Sequence, residues 1–298
     1  MTRVWMGLAL GFGLAACGGG APPFGGDAGG DATEPGGDER VGSVFADNEA
    51  EFLRLNNIEY DSGSDTLRLN NLPFDDDNNV YVRVPGSALA NGWGAYESLQ
   101  DGPGEIEYFA VFRRSDSGQT QVAAAHTTQY NEFGYGGAGA QRIVGGAPNL
   151  PTDGAIYVFT GSYAGVRITT DTTGANDANF VTGDAQVTAD FGDFDVTGAI
   201  NGRVTNRVIY DENGVALGSL GTQIVLEDTT INRDDGTIDE AEAFEIDVAT
   251  GDQVREGDWS GVVAGAGGTE VAAYIVVQDG SGTTDGEVRE VGGFIAAR

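Results

Sequence analysis

The sequence lacks lysine altogether, and its 298 residues include one cysteine, one histidine and two methionines. Without lysine there is no residue for a Schiff base, for covalent attachment of pyridoxal phosphate or for a phosphate-loop lysine. One thiol cannot form an intramolecular disulfide, and one histidine beside one cysteine gives too few ligands for a zinc, copper or iron–sulfur site. Only oxygen donors are abundant, so calcium is the metal that the residue types allow. We expect no cofactor.

Basic side chains are also scarce, because 15 arginines stand against 46 aspartates and glutamates and the net charge is -31. So negative a surface repels nucleic acid and anionic lipid. We therefore expect no nucleic-acid partner. The same charge keeps a secreted protein soluble, so it does not identify a ligand by itself.

The only cysteine, Cys17, follows a short apolar run at the start of the chain. Arg3 precedes an uncharged run from Val4 to Leu14, which is shorter than the roughly 20 residues that a membrane-spanning helix needs. A charged start, a short apolar centre and small residues before the cut are typical of a secretory signal. The letters LAAC, ending at Cys17, resemble a bacterial lipobox. We predict a signal peptide over residues 1–16 and lipidation of Cys17, with palmitate among its acyl chains.

The segment after Cys17 reads as a flexible tether over residues 17–40. Nine glycines and three prolines fall between Gly18 and Arg40, and this composition disfavours a packed core. Two or more acyl chains anchor a protein stably without a spanning segment. The residue after the cysteine is glycine rather than aspartate, which by analogy favours the bacterial outer membrane. We expect a monomer attached there through Cys17, facing the cell exterior.

From Val44 onward, short runs of alternating apolar and polar residues end in Gly, Asn or Asp. Such alternation predicts strands with one buried face, and the spacing predicts an all-β sandwich or barrel. Hairpins are indicated by YDSGSDTLRL, VFRRSDSGQTQV, VIYDENGVAL and AQVTADFGDFDVTGAI, the last with a tight turn at Gly192-Asp193. Two prolines and three glycines in residues 145–154 mark a boundary between two units.

Several segments together resemble the transferrin-binding protein B group of surface lipoproteins. They are the lipobox, the tether, GAIYVFTGSYAG, AQVTADFGDFDVTGAING and the closing EVREVGGFIAAR. The resemblance implies a β-rich handle domain over residues 41–150 and an eight-stranded antiparallel β-barrel over residues 151–298. It also implies a non-catalytic module that binds a protein or a small iron-bearing solute. Members of the group that bind transferrin carry two such lobes, whereas this chain has length for one.

Aromatic residues in glycine-rich segments are the candidate ligand-binding residues. Trp93 and Tyr96 lie in a segment without a strand pattern, and Tyr130, Phe133 and Tyr135 lie at the end of a hairpin. Exposed aromatic side chains at such places anchor partners, although they also cover the ends of barrels.

His126 is the only histidine, and we expect it to share a strand face with Val122, Ala124 and Thr128. It is either a structural histidine or a haem ligand, as in the related hemophilins.

Three other functions remain open from the sequence. Haem capture through His126 is one, and a structural surface coat or adhesin is another. A hydrolase with paired acids inside the barrel is the third; two buried carboxylates in a pocket would favour it, and an interior packed with Val, Ile and Phe would oppose it. The near-matches to a dinucleotide loop (residues 134–139) and to calcium loops (residues 75–79 and 231–242) are better explained as strand and turn sequences.

Overall fold

The computed structural model describes residues 42–46, 52–73, 80–87, 89–98, 106–129, 134–171, 173–192, 199–279 and 287–298. These residues form 17 β-strands, with a short 3-10 turn at Ala90–Gly92. The all-β prediction is confirmed. The predicted signal peptide, Cys17, the tether, the acidic segment 75–79, Tyr130 and Phe133 lie outside the described residues.

Strands β1 to β8 form one antiparallel sheet, which we call the handle sheet, in the spatial order β1-β8-β7-β6-β5-β4-β3-β2. Its strands are β1 (Ser43–Phe45), β2 (Asn57–Asp61), β3 (Thr66–Asn70), β4 (Tyr81–Arg83), β5 (Gly94–Ser98), β6 (Tyr108–Arg114), β7 (Thr120–Thr127) and β8 (Gly136–Arg142). The sheet curls into a half-barrel. The predicted hairpins over YDSGSDTLRL and VFRRSDSGQTQV are confirmed as β2–β3 and β6–β7.

The handle sheet is buried on both faces at its centre, and strand β7 shows why. Ala123 and Ala125 point into the concave side of the half-barrel, among tyrosines and leucines. Val122 and Ala124 point to the opposite side, where a second apolar layer forms. Side chains on both faces of β7 are thus buried, each face in a different core. The sequence of the strand is therefore almost continuously apolar and does not alternate between apolar and polar residues.

The remaining strands form an eight-stranded antiparallel barrel, which closes where β10 pairs with β11. Its strands are β9 (Ile156–Thr170), β10 (Asn176–Asp190), β11 (Ile200–Tyr210), β13 (Thr222–Thr229), β14 (Thr237–Asp247), β15 (Gln253–Ala264), β16 (Glu270–Gln278) and β17 (Glu287–Ala297). A short extra strand, β12 (Ala216–Ser219), pairs with the end of β11. The handle-plus-barrel prediction of the fold is confirmed.

The handle sheet packs against the outer face of β9, β16 and β17. Val122 and Ala124 from the handle and Ala164, Val166 and Val291 from the barrel belong to one buried apolar layer. The alternate residues of the same barrel strands, such as Tyr163 and Phe294, point into the barrel. The two sheets therefore share a packed interface.

The lobe has two distinct ends. At the first, which we call the tether end, the Arg142 guanidinium donates to the carbonyl oxygens of Val263 and Asp235, and the Arg142 amide donates to Gly42. At the other, which we call the far end, the Asn176 amide donates to the Thr128 carbonyl at 3.1 Å. The barrel turns at 171–175, 211–215 and 247–252 lie at the far end.

One finer prediction from the sequence is wrong. Ala189 pairs with Ile200 rather than with Val196, so the turn predicted at Gly192-Asp193 does not set the register of the β10–β11 hairpin. Phe191 is buried in the barrel core together with Ala185, Val187 and Ala189, on the face that the alternation predicts.

The segments TEVAAYIVV and REVGGFIAA share an order of residue types that either two adjacent strands packing alike or chance would produce. They are adjacent, as β16 and β17. However, Glu270 faces the handle and accepts from Ser117 and Thr120, whereas Glu290 faces the barrel interior. Glu270 and Glu290 therefore point to opposite faces of the barrel sheet, although the sequences around them are similar.

Candidate functional site

Trp93 lies between the handle and the barrel rather than at an exposed loop tip. Only 3% of its surface is exposed, and its indole Nε1 donates to the Ser162 Oγ on β9 at 3.0 Å. The Arg113 guanidinium donates to the same oxygen. The expectation of an exposed loop aromatic is wrong for Trp93, because the ring fills the junction and its one polar atom finds a buried acceptor.

Tyr96 is also buried, on the concave side of the handle sheet, and the segment predicted to lack strand structure contains strand β5. Its hydroxyl donates to Asp65 Oδ1 at 2.8 Å, and the Arg83 guanidinium donates to the hydroxyl at 2.9 Å. Glycine content hid this strand, since Gly94 is needed where an added Cβ would lie 2.7 Å from the Arg83 guanidinium.

Tyr135 is the described member of the predicted hairpin aromatics. Its ring is partly buried against the handle core and meets Phe52 edge-on, with centroids 5.2 Å apart. Phe52 itself is partly exposed. The two rings lie beside the β7–β8 connection, whose residues Tyr130 and Phe133 are not described. A surface role for this cluster stays a prediction.

His126 lies on the barrel-facing side of β7, where its ring is fully buried. Its Nδ1 lies 3.0 Å from the Thr127 carbonyl oxygen, which fixes the proton on Nδ1 if the ring is neutral. Among the described residues, its Nε2 has no hydrogen-bond partner. Burial, and to a lesser degree the Arg289 charge, lowers the pKa of His126 to about 3. The ring is therefore neutral at physiological pH.

A groove lies between the handle and the barrel, next to Ser162 and Arg113 at the junction that Trp93 fills. It holds about 430 Å³ and is lined by Asn91, Arg113 and Ser115 from the handle and by Thr160, Ser162 and Asp184 from the barrel. Protein sites for small molecules commonly have volumes of about 300–1,000 Å³. This groove is open, and its lining combines polar side chains with Ile295 and Ala297, so it selects for neither polar nor apolar ligands.

The barrel interior holds a closed cluster of ion pairs near the far end, which we call the ion cluster. It contains three arginines and three carboxylates: Arg167, Arg207, Arg255, Glu245, Glu290 and Asp279. Arg207 donates to Glu245 at 2.5 Å and to both oxygens of Glu290 at 2.6 Å. Opposite charges are equal in number, so the cluster is neutral as a whole.

Two hydroxyl groups add hydrogen bonds to the carboxylates of the ion cluster. Tyr163 donates to Glu290 at 2.6 Å, and Thr222 donates to Glu245 at 2.6 Å. Gly165 pairs with Gly292 on the neighbouring strand, and a Cβ at either position would collide with the Tyr163 hydroxyl. Gly165 and Gly292, the first glycine of the EVGGF segment, therefore make room for the tyrosine that reaches Glu290.

Electrostatics keep the ion cluster charged despite its burial. Burial alone would raise the pKa values of Glu245 and Glu290, but Arg207 and Arg167 reverse this and hold both below the usual range. Burial raises the pKa of Tyr163 well above its ordinary value, and the Glu290 charge adds to the effect. A general acid or base needs a pKa near the working pH. Neither carboxylate meets that requirement.

The ion cluster answers the hydrolase hypothesis only in part. Two buried carboxylates do lie inside the barrel, as that hypothesis requires, but each is bound to arginines. The rest of the interior is filled by apolar side chains that include Phe159, Phe191 and Trp259. The arrangement supports a structural role, in which the ion pairs fill the part of the barrel interior that the apolar core does not occupy.

Sequence reasoning missed the ion cluster entirely. Five of its members lie on β9, β11, β14, β15 and β17, and Asp279 directly follows β16, so no short motif contains them. One signal was present: Arg167, Glu245 and Glu290 lie at strand positions that the alternation assigns to the buried face, where apolar residues are expected. Charged residues at such positions of several strands indicate that they pair across a barrel.

The junction bond of Trp93 gives a first test. We expect Trp93→Phe to lower the free energy of unfolding by more than about 1 kcal/mol, because the bond to Ser162 is lost and the smaller ring leaves part of the buried space unfilled. Urea unfolding of Trp93→Phe, Ser162→Ala and the double variant measures the coupling between the two groups. If the effects of the two changes on the free energy of unfolding are additive, the hydrogen bond between Trp93 and Ser162 is contradicted.

Among the described residues, no group of three or more His, Cys, Asp or Glu side chains is placed so that it could bind a metal ion. The residues 231–242 that imitate a calcium loop form a turn at 232–236 and the start of β14. A search of the described part of the chain finds no helix with the length and apolar character to cross a membrane.

Comparisons with known proteins give three similar solved structures. A double mutant of transferrin binding protein B from Haemophilus parasuis Hp5 has a TM-score of 0.40 and 12% identity, and the match covers 80% of this chain and 44% of that one. Intact Ap-TbpB, with N and C lobes, has a TM-score of 0.39 and 12% identity, covering 81% and 45%. A single mutant of the Haemophilus parasuis protein has a TM-score of 0.39 and 13% identity, covering 81% and 45%.

This chain thus matches less than half of the length of each of those structures. No protein-family model and no curated protein matches the sequence. The fold is therefore established by the strand pairing within this chain alone.

Proposed function

We propose that the chain is an outer-membrane lipoprotein, anchored by lipid on Cys17, whose handle sheet and barrel form a non-catalytic binding lobe. Its ligand is a protein or a small solute. The observation that carries the proposal is the order of segments. A lipobox, a Gly/Pro-rich tether over residues 17–40 and a β-lobe that begins with Ser43 follow one another directly.

The position of Gly42 supports an outward presentation of the far end. Gly42 lies at the tether end, where its carbonyl oxygen accepts from the Arg142 amide at 3.0 Å. The Gly/Pro-rich composition of residues 17–40 predicts a tether with an average reach of roughly 25 Å. The tether end would therefore lie towards the membrane, and the turns of the far end would face away from it.

The filling of the barrel supports binding at the surface of the lobe rather than inside the barrel. One part of the interior is apolar core, and the polar groups of the ion cluster bind one another. A ligand inside would have to displace ion pairs that are already desolvated, at a cost of several kcal/mol. The open groove at the junction and the turns of the far end offer contacts without that cost.

Haem capture through His126 is less consistent with this geometry. Its Nε2 is enclosed between the two sheets, and an added Cβ on Gly136 would lie only 2.6 Å from the ring. Iron would reach the nitrogen only after the handle and the barrel separated. A Soret band on adding hemin, lost in His126→Ala, would support the haem function. A surface coat or adhesin differs from a binding lobe in that no ligand is recovered with it.

Substitution of the anchor residue tests the proposal. We expect Cys17→Ala to move the protein from the membrane fraction to the soluble fraction of the cell envelope, because no acyl chain can then be attached. Cell fractionation measures the shift, and intact mass spectrometry of the wild-type chain should show acyl groups on an N-terminal Cys17. Thr33→Ala, within the tether, is the matched control and should stay in the membrane fraction.

Two results would contradict the proposal. One is a wild-type mature chain that begins at another residue and carries no lipid. The other is a Cys17→Ala variant that remains bound to the membrane as firmly as the Thr33→Ala control.

A further inference from the structure

Strand β12 has an outer edge that no other described strand covers. Strand β11 pairs with β10 on one side, and on the other side it pairs first with β13 and then with β12. Strand β12 pairs only with β11, and all four of its residues are exposed. Its outer edge therefore presents backbone donors and acceptors to the surroundings.

Large apolar side chains flank this edge. Val215 and Leu217 are 59% and 61% exposed, and Val248 in the β14–β15 turn is 63% exposed. The Val248 amide donates to the Gly221 carbonyl at 3.0 Å, which holds that turn beside the end of the β12 segment. Single exposed apolar residues are ordinary, but apolar side chains grouped beside a free strand edge favour association.

The charge around the edge selects the partner. The three far-end turns 171–175, 211–215 and 247–252 contain five carboxylates, and no arginine occurs in them. Hydrogen bonds from Thr173 and from the Thr250 amide lower the pKa values of Asp171 and Asp247, so both remain ionised. A second copy of a chain with net charge -31 would be repelled. A basic segment would be attracted.

We propose that the outer edge of β12 is a docking site for an extended segment of a partner protein in which apolar side chains alternate with Lys or Arg. The segment adds a strand beside β12 through main-chain hydrogen bonds. Its apolar side chains cover Leu217 and its neighbours, and its basic side chains face the turn carboxylates. The site deepens the proposed binding function, on which it rests, by naming the chemistry of the ligand.

A labelled peptide tests this site on the acylated full chain in detergent. The probe is a peptide of about seven residues in which valine alternates with lysine, so that one face is apolar and the other is basic. Fluorescence anisotropy measures its affinity for the wild type and for Leu217→Lys. We expect Leu217→Lys to weaken binding about tenfold, because it removes an apolar contact and adds a like charge.

Ile156→Lys is the matched control, because Ile156 is 64% exposed but lies at the tether end on β9. It makes the same change of side chain and charge, and it should leave the affinity within about twofold of the wild type. A peptide in which valine alternates with glutamate should not bind. Affinity for the lysine peptide should fall as salt is added.

Three outcomes would overturn the proposal: no binding of the lysine peptide by the wild type, equal weakening by both variants, or equal binding of the glutamate peptide. Sedimentation of the wild type as a dimer that Leu217→Lys dissociates would also overturn it, since the edge would then serve self-association. These results leave lipid attachment at Cys17 unaffected, so failure of the site is distinguishable from failure of the proposed function.

Discussion

Replacement of Arg207 by methionine is expected to lower the free energy of unfolding by about 3–5 kcal/mol. The side chain of Arg207 is fully buried and binds Glu245 and Glu290 together. Methionine keeps most of the volume but leaves the two carboxylates facing only Arg167 and Arg255. Leaving a buried carboxylate without its positive partner costs far more free energy than the intact ion pair contributes to stability. Urea unfolding monitored by circular dichroism gives the value.

Arg203→Met is the matched control for this measurement. Arg203 lies on the same strand, β11, but points outward, where it donates to Gln186 at 2.8 Å in an exposed position. We expect its replacement to change stability by less than about 0.5 kcal/mol. Equal losses for Arg207→Met and Arg203→Met would contradict the ion cluster.

The pH dependence of the Arg207 defect provides a second check. In the folded wild type, the pKa values of Glu245 and Glu290 lie below their unfolded values. Their contribution to stability is therefore present above about pH 4.5 and is lost as pH falls further. In Arg207→Met, protonation of a carboxylate relieves the buried charge. The difference between variant and wild type should shrink as the pH is lowered below about 4.5.

His126 is expected to make the stability of the lobe depend on pH between about 7 and 4.5. The folded pKa is about 3, below the ordinary value of 6.5, so the unfolded chain takes up a proton in this range and the folded chain does not. Stability is thus highest above pH 6.5 and falls as pH decreases. The loss is about 2 kcal/mol at pH 5 and approaches about 4 kcal/mol near pH 3.5.

The surroundings of His126 explain why protonation is unfavourable. Arg289 on β17 adds a positive charge, and Gly136 on β8 packs against the ring. Phe109 on β6 pairs directly with His126 across the sheet, and the Thr127 carbonyl is the acceptor near Nδ1. Only that carbonyl favours the charged ring.

His126→Leu isolates the effect, because the chain has no other histidine. We expect the variant to lose the slope of unfolding free energy between about pH 7 and 4.5, whatever its stability at pH 7. Urea unfolding at a series of pH values measures both slopes. Gln129→Leu, just beyond the same strand, is the control and should keep the wild-type slope. A wild-type slope in His126→Leu would show that the histidine is not buried in the folded chain.

Local patterns in the sequence were sufficient to predict an all-β fold and several hairpins, whereas the handle followed by an eight-stranded barrel was what the family resemblance implied. The hairpin VIYDENGVAL forms β11–β12, with Gly214 at φ 76° in the turn. Alternation in AQVTAD places Ala185, Val187 and Ala189 inside the barrel, because successive side chains of a strand point to opposite faces. Such features depend on neighbours in the chain. They can therefore be derived without knowing the rest of the fold.

Features that depend on distant segments could not be derived in this way. Trp93 was expected at a loop tip because its neighbours are glycines, yet Ser162, on another sheet, provides the acceptor that permits burial. Arg207 meets Glu290 across 83 residues of chain. A polar side chain is buried at low cost only when it has a hydrogen-bonding or ionic partner, and the local sequence does not show which distant residue that partner is.

Partner recognition on the cell surface is the central claim, and protease shaving of intact cells tests it most directly. Mass spectrometry should find the lobe released before lysis, cut within the tether of residues 17–40, together with a bound protein or solute. Recovery of the lobe only after lysis would contradict the outward orientation. Release of the lobe with no ligand, after growth in the organism's own surroundings, would contradict the binding function.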